Sequence, residues 1–121
     1  MALQTQNQIK FELKLNEQTE FSRLLQKAID EAFSSVSNDN NKAIYNHLEN
    51  TFKIKKQEIP NKLAEFANAI EATFGLAAEL IEIRIMANVH KHINNHAYYP
   101  KDDKVVFSEY LADVRRFLAS N

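Results

Sequence analysis

Apolar residues recur at spacings of three and four along most of this 121-residue chain. That period lays one stripe of side chains along a helix, so the stretches that carry it read as helices seated on a shared core. Phe21, Leu24, Leu25, Ala28, Ala32, Phe33 and Val36 form the first stripe. Asn16 is placed to cap that helix, and Glu17 and Glu20 fall in its first turn, where the helix dipole favours negative charge. The stripe stops at Ser37-Asn-Asp-Asn-Asn41, where asparagine is expected to supply the left-handed turns that glycine usually provides. A second helix carries Ile44, His47, Leu48 and Thr51 on one face, with Phe52 beside them. Pro60 cannot continue a helix, Asn61 is placed to cap the next one, and Leu63, Phe66, Ala67, Ile70 and Phe74 make its stripe. Gly75 then stands where helices often stop in a left-handed cap.

From Leu76 to Ile93 the pattern changes. Leu76, Leu80, Ile83 and Ala87 form one stripe, Ile81 and Ile85 another, Met86 and Val89 a third. A helix apolar nearly all round is expected to be surrounded, either at the centre of a bundle or at a subunit interface. The last stripe is Phe107, Tyr110, Leu111, Val114, Phe117 and Leu118, following the acid pair Asp102 and Asp103. The expected class is all-α, a helical bundle of about five helices. It divides into an N-terminal segment, residues 1–15, and a helical domain, residues 16–121. In the first, Ile9, Phe11, Leu13 and Leu15 alternate with Lys10, Glu12 and Lys14, the period of a half-buried strand. A lone strand leaves backbone donors and acceptors unpaired, so the segment is expected either to pair with its copy in a second subunit or to lie extended across the helices.

Composition narrows the function classes. With one glycine in the chain, P-loops and the glycine fingerprint of dinucleotide sites are excluded. With no cysteine, disulfide scaffolds, thiol nucleophiles and cysteine-ligated metal centres are excluded as well. The net charge of −1 argues against a polybasic membrane anchor or a strongly basic nucleic-acid binder. Lys53, Lys55 and Lys56, and Lys101, Lys104, Arg115 and Arg116, are short patches that read as solvated faces rather than a phosphate track. No basic stretch followed by an apolar run opens the sequence, and no window is apolar enough to span a membrane, so the expected location is cytoplasmic. Nothing in the sequence calls for a cofactor.

Few residues are candidates for a site. His92 and His96 are four apart, a metal-binding spacing on a helix, but Asn94-Asn95 intervenes and no third ligand stands nearby. His90 and His92 also suit a helix C-terminus, where histidine meets the dipole favourably. His47 shares its stripe with Ile44 and Leu48 and reads as a core histidine satisfied by its neighbours. Tyr45 and Glu49, four apart on an adjacent face, can make a hydrogen-bonded pair or contact a ligand. Glu79 and Glu82 share a face with Met86 and Val89. They read either as carboxylates with raised pKa, suited to acid–base work, or as a solvated or ion-paired helix edge.

Two families are resembled. Arg84 and His90 match the arginine–five residues–histidine spacing of the HEPN ribonucleases, which are small all-α dimers. That resemblance implies an arginine holding phosphate and a histidine moving protons, with Ile85 replacing the polar residue usual after the arginine. The central stretch carries Ala43-Ile-Tyr-Asn-His-Leu-Glu49, Ile54-Lys-Lys-Gln-Glu-Ile-Pro60, Phe66, Ala69-Ile70, Phe74-Gly75, Leu80-Ile-Glu82 and Ile85. Over residues 24–93 it resembles the Nitrosopumilus output domain family, short helical domains of unknown role. His47, Glu49, Gly75 and Glu82 match that family's positions, and the resemblance implies a signalling output or interaction module with no catalytic residues to carry over. The leading expectation is therefore a non-enzymatic module that homodimerises and contacts another protein. The alternatives are a metal-independent ribonuclease using Arg84 and His90, and a small-ligand sensor with a pocket near Tyr45, His47, Glu49 and Glu82.

Overall fold

The computed structural model describes residues 20–36, 41–93 and 106–120. Five α-helices pack as a bundle: α1 (residues 20–36), α2 (Asn41–Phe52), α3 (Leu63–Phe74), α4 (Ala78–His92) and α5 (Phe107–Ser120). Two 3-10 helices, Lys56–Asn61 and Gly75–Ala77, join α2 to α3 and α3 to α4. No strand occurs among the described residues, and the alternating segment at Ile9 to Leu15 lies outside them.

The core is hydrophobic, with no charged residue buried among the described residues. Phe21, Leu25, Ile29 and Phe33 from α1 meet Phe66 and Ile70 from α3, Ile81, Ile85 and Val89 from α4, and Leu111 and Val114 from α5. α3 packs on both α4 and α5, which also pack on each other. Aromatic rings stitch the layers together: Phe33 lies 5.3 Å from Tyr45 and 6.4 Å from Phe74, and Phe66 lies 6.1 Å from Phe107, all tilted. Such offsets keep the negative ring face away from its like.

Three local expectations are corrected. On α2 the buried residues are Tyr45 and Leu48, with Ile44 and Phe52 half-buried, while His47 and Thr51 face solvent. A stripe through Ile44, Tyr45, Leu48 and Phe52 buries a large aromatic surface that the stripe through His47 would leave exposed. Asn61 does not cap α3. The residue before that helix is Lys62, and the Asn61 Oδ1 accepts instead from the Arg115 guanidinium at 3.0 Å. On α4, Ala78, Ile81, Ile85 and Val89 are buried, but Leu80, Ile83 and Ala87 are exposed, so the helix is not surrounded by its own bundle.

The turns show how a chain so poor in glycine closes its helices. Gly75 ends α3 at φ +56° and ψ −122°, with its N–H on the Glu71 carbonyl. A Cβ there would meet no atom within 4 Å, so what requires glycine is the backbone conformation and not the space. After α2 the left-handed residue is Lys53, at φ 59°. Its N–H reaches the Glu49 carbonyl at 3.1 Å, and the N–H of Ile54 reaches Leu48 at 3.2 Å. In the first 3-10 helix the Glu58 carboxylate accepts from the Lys55 N–H at 3.0 Å, and this hydrogen bond holds its pKa below the usual range.

Candidate functional site

Tyr45 and Glu49 line one cleft and Glu82 another, and the two are separate. The first is an open depression of about 570 Å³ lined by Asp30 from α1, Asn41, Tyr45 and Glu49 from α2, and Lys56 and Gln57 from the first 3-10 helix. Tyr45 reaches it because its ring is packed against Phe33 while its hydroxyl extends towards α1. The hydroxyl donates to Asp30 Oδ1 at 2.6 Å and accepts from Gln26 Nε2 at 2.8 Å. Gln26 also donates to Asp30 Oδ1 at 3.1 Å. The Lys56 ammonium lies 3.8 Å from the same carboxylate and 4.6 Å from the Tyr45 ring centroid.

Burial, then the hydrogen bond to Asp30 and its negative charge, push the Tyr45 phenol well above its ordinary pKa, against a smaller opposing effect of Gln26. The phenol is thus a proton donor throughout the physiological range and not a base. Every polar group at the centre of this cleft already has a partner from another element. Chemically, the arrangement is a tie between α1, α2 and the 3-10 helix. Of the two readings for Tyr45 and Glu49, the hydrogen-bonded pair does not form: Glu49 is exposed on the rim, and the tyrosine bonds across to α1. His47 does not line the cleft. Its Nδ1 lies 3.3 Å from the Thr51 hydroxyl and its ring stands edge-on to Phe52 at 5.7 Å.

Glu82 belongs to the second cleft, about 630 Å³, between α3, α4 and the start of α5. Glu71, Glu79 and Glu82 border it together with Asn68, Leu76, Val106 and Phe107. Glu82 is half-buried, and its pKa is raised by desolvation first and then by the charges of Glu71 and Glu79. Of the two sequence readings for the Glu79–Glu82 edge, the perturbed carboxylate applies to Glu82. Glu79 is exposed.

No family model, curated protein or solved structure matches this chain. The remaining candidates are therefore placed by geometry alone. Arg84 and His90 both stand on the solvent side of α4. Being six residues apart, they point about 120° from each other around the helix. His92 is half-buried and holds Glu31 of α1 at 2.9 Å through Nε2, while His96 lies outside the described residues. No group of three histidine or carboxylate side chains is disposed to hold a metal among the described residues. No helix of the described residues is long and apolar enough to cross a membrane.

The basic residues noted in the sequence divide in the same way. Arg115 is occupied by Pro60 and Asn61, and Arg116 pairs with Asp113 one turn back. What the sequence did not single out is the outer face of α4. There Leu80 and Ile83 are 52% and 50% exposed, next to the fully exposed Leu76 in the preceding turn, with Val106 53% exposed across the second cleft. The signal was present as one of three apolar stripes. The sequence could not say which stripe the bundle would leave uncovered.

Proposed function

We propose that this chain is a non-enzymatic helical interaction module of the signalling-output kind, that it homodimerises, and that the outer face of α4 is its working surface. The observation that carries the reading is the apolar stripe of Leu80, Ile83 and Ala87, continued by Leu76, on a helix whose opposite face is core. Large side chains gathered along one exposed helix face are the mark of an association surface, where single scattered ones are not. The internal pairing of Tyr45, Asp30, Gln26 and Lys56 supports the same reading, since it commits the groups at the centre of the first cleft to tying the helices together. Kinship with the Nitrosopumilus output domain family is part of the proposal. Of the positions that match that family, Gly75 and Glu82 border the cleft beside the α4 face.

The test is sedimentation equilibrium on the wild-type chain and on the double variant Leu80→Glu/Ile83→Glu. The expected result is a species of twice the 14.0 kDa chain mass for the wild type and a single chain for the variant, with helical content unchanged. A wild type that remains a single chain at high concentration would sink the self-association. Dimers formed equally by both proteins would move the working surface away from α4.

A further inference from the structure

The exposed face of α4 has a heptad order that its short length hides. On α4 itself Leu80, Ile83 and Ala87 are spaced three and four, the alternation of the two core positions of a coiled coil, with Leu76 in the 3-10 turn just before them. With Leu80 and Ile83 as those core positions, the flanking positions follow. Glu79 stands on one edge of the stripe, and Arg84 and Lys91 stand on the other. Both Glu79 and Arg84 are exposed, and neither has an ion-pair partner among the described residues. The two are five residues apart, so within one helix they diverge by about 140° around the axis and do not serve each other.

We propose that a second copy of this chain covers the α4 face, with the two α4 helices parallel and in register and Glu79 of each copy against Arg84 of the other. This rests on the interaction-module reading and names the occupant of the same surface. The argument is one of charge and symmetry. In a parallel pair the twofold axis runs along the helices, so the acidic edge of one copy meets the basic edge of its partner. A spacing of five residues is the one at which flanking side chains of parallel coiled helices meet, and symmetry forms the contact twice. In an antiparallel pair the twofold axis runs across the helices, and each edge meets its own kind. Arg84 and Lys91 would then face Arg84 and Lys91, with no carboxylate on that edge. Only the parallel arrangement satisfies both the apolar stripe and its flanks. Ala87, the smallest side chain of the stripe, lets the backbones approach closely towards the C-terminal half of the helix.

Charge exchange tests this directly. Glu79→Arg alone, or Arg84→Glu alone, places like charges on both edges of the parallel pair, and each is expected to weaken self-association by about 10-fold. Mixed in equal amounts, the two single variants recover opposite charges at both contacts. The mixture is expected to form a heterodimer within about two-fold of wild-type affinity, its mass resolved by native mass spectrometry. Both substituted positions are exposed, and an unchanged melting temperature checks that each variant folds. Because the chain has no cysteine, Leu80→Cys and Ile83→Cys give a second readout. In the parallel pair each variant forms a disulfide with its own copy. In the antiparallel pair crosslinking needs the two variants together. A wild type that self-associates through α4 but gains no heterodimer from the mixture, or an Arg84→Glu variant that associates more tightly, overturns the parallel arrangement and leaves the interaction surface standing. A wild type that does not self-associate overturns both.

Discussion

Lys53 adopts a conformation that a side chain with a Cβ holds at a cost of about 1–2 kcal/mol relative to glycine. Its φ of 59° lets the chain leave α2 and close two of that helix's last carbonyls, on Glu49 and Leu48. The lysine head returns little, since among the described residues it makes one exposed contact, with the Asn50 carbonyl at 3.3 Å. Lys53→Gly is therefore expected to raise stability by about 0.5–1 kcal/mol, net of the entropy that glycine adds to the unfolded chain. Urea denaturation checks it: the midpoint rises with the slope unchanged, and a fall would show that the lysine contributes more than its contacts suggest. The left-handed site at Lys53 was not legible in the sequence, which pointed instead to the asparagines of Ser37–Asn41; residues 37–40 lie outside the described residues, and Asn41 is the first residue of α2. Lysine carries no local signal for positive φ, so only the need to aim the chain from α2 towards the 3-10 helix places it there. Tyr45 is a similar case. Its four-residue spacing to Glu49 was visible, but the partners that matter, Asp30 and Gln26, sit on a different helix, and which helices meet is not written in local spacing.

At the scale of the element, periodicity shows that a helix forms more readily than it shows which way the helix faces. The helices at residues 20–36, 63–74, 78–92 and 107–120 lie close to where their stripes put them, because a period of three and four is a property of the segment itself. Their rotation depends on neighbours. α4 shows this plainly, since its three stripes are similarly apolar, and contact with α1, α3 and α5 selects Ile81, Ile85 and Val89. Asn88 helps fix that choice by donating to the Ala28 carbonyl at 3.1 Å, and His92 does so by holding Glu31.

One consequence of that rotation is measurable at Glu82, which α4 turns into the acidic cleft. Its folded-state pKa is raised, so the ionised form is disfavoured in the native protein relative to the unfolded chain. The cost is present at neutral pH and disappears as pH falls through the raised pKa towards the usual carboxylate range, where both states bind the proton. Glu82→Gln should therefore raise the melting temperature at about pH 7 by roughly 1 °C, a figure kept small because most of the carboxylate remains solvated. At about pH 3.5 the variant and the wild type should melt together. A gain that persists at low pH would mean that packing, and not charge, sets the effect.

For the whole molecule, a core without a charged side chain among its described residues gives cohesion but little angular specificity, and the polar ties at its margin supply the rest. Tyr45 with Asp30 joins α1 to α2, Asn88 and His92 join α4 to α1, and Arg115 reaches furthest. From α5 its guanidinium donates to the Pro60 carbonyl at 3.1 Å and to Asn61 Oδ1 at 3.0 Å, and it lies 6.0 Å from the Phe21 ring centroid on α1. The last helix is thereby fixed to the first helix and to the turn between α2 and α3, elements more than fifty residues away. Removing the side chain leaves a carbonyl of a buried proline without its charged donor, at a cost of about 1–2 kcal/mol. Arg115→Ala should accordingly lower the urea midpoint with an unchanged slope, the behaviour of a single cooperative unit. Arg115→Lys should recover only part of the loss, because an ammonium cannot present two donors in a fixed plane or stack on Phe21 as a guanidinium does. A lysine variant as stable as the wild type would reduce the tie to simple charge. A second, earlier transition in the alanine variant would show α5 leaving the bundle by itself, and the five helices would then count as a four-helix body with a docked arm.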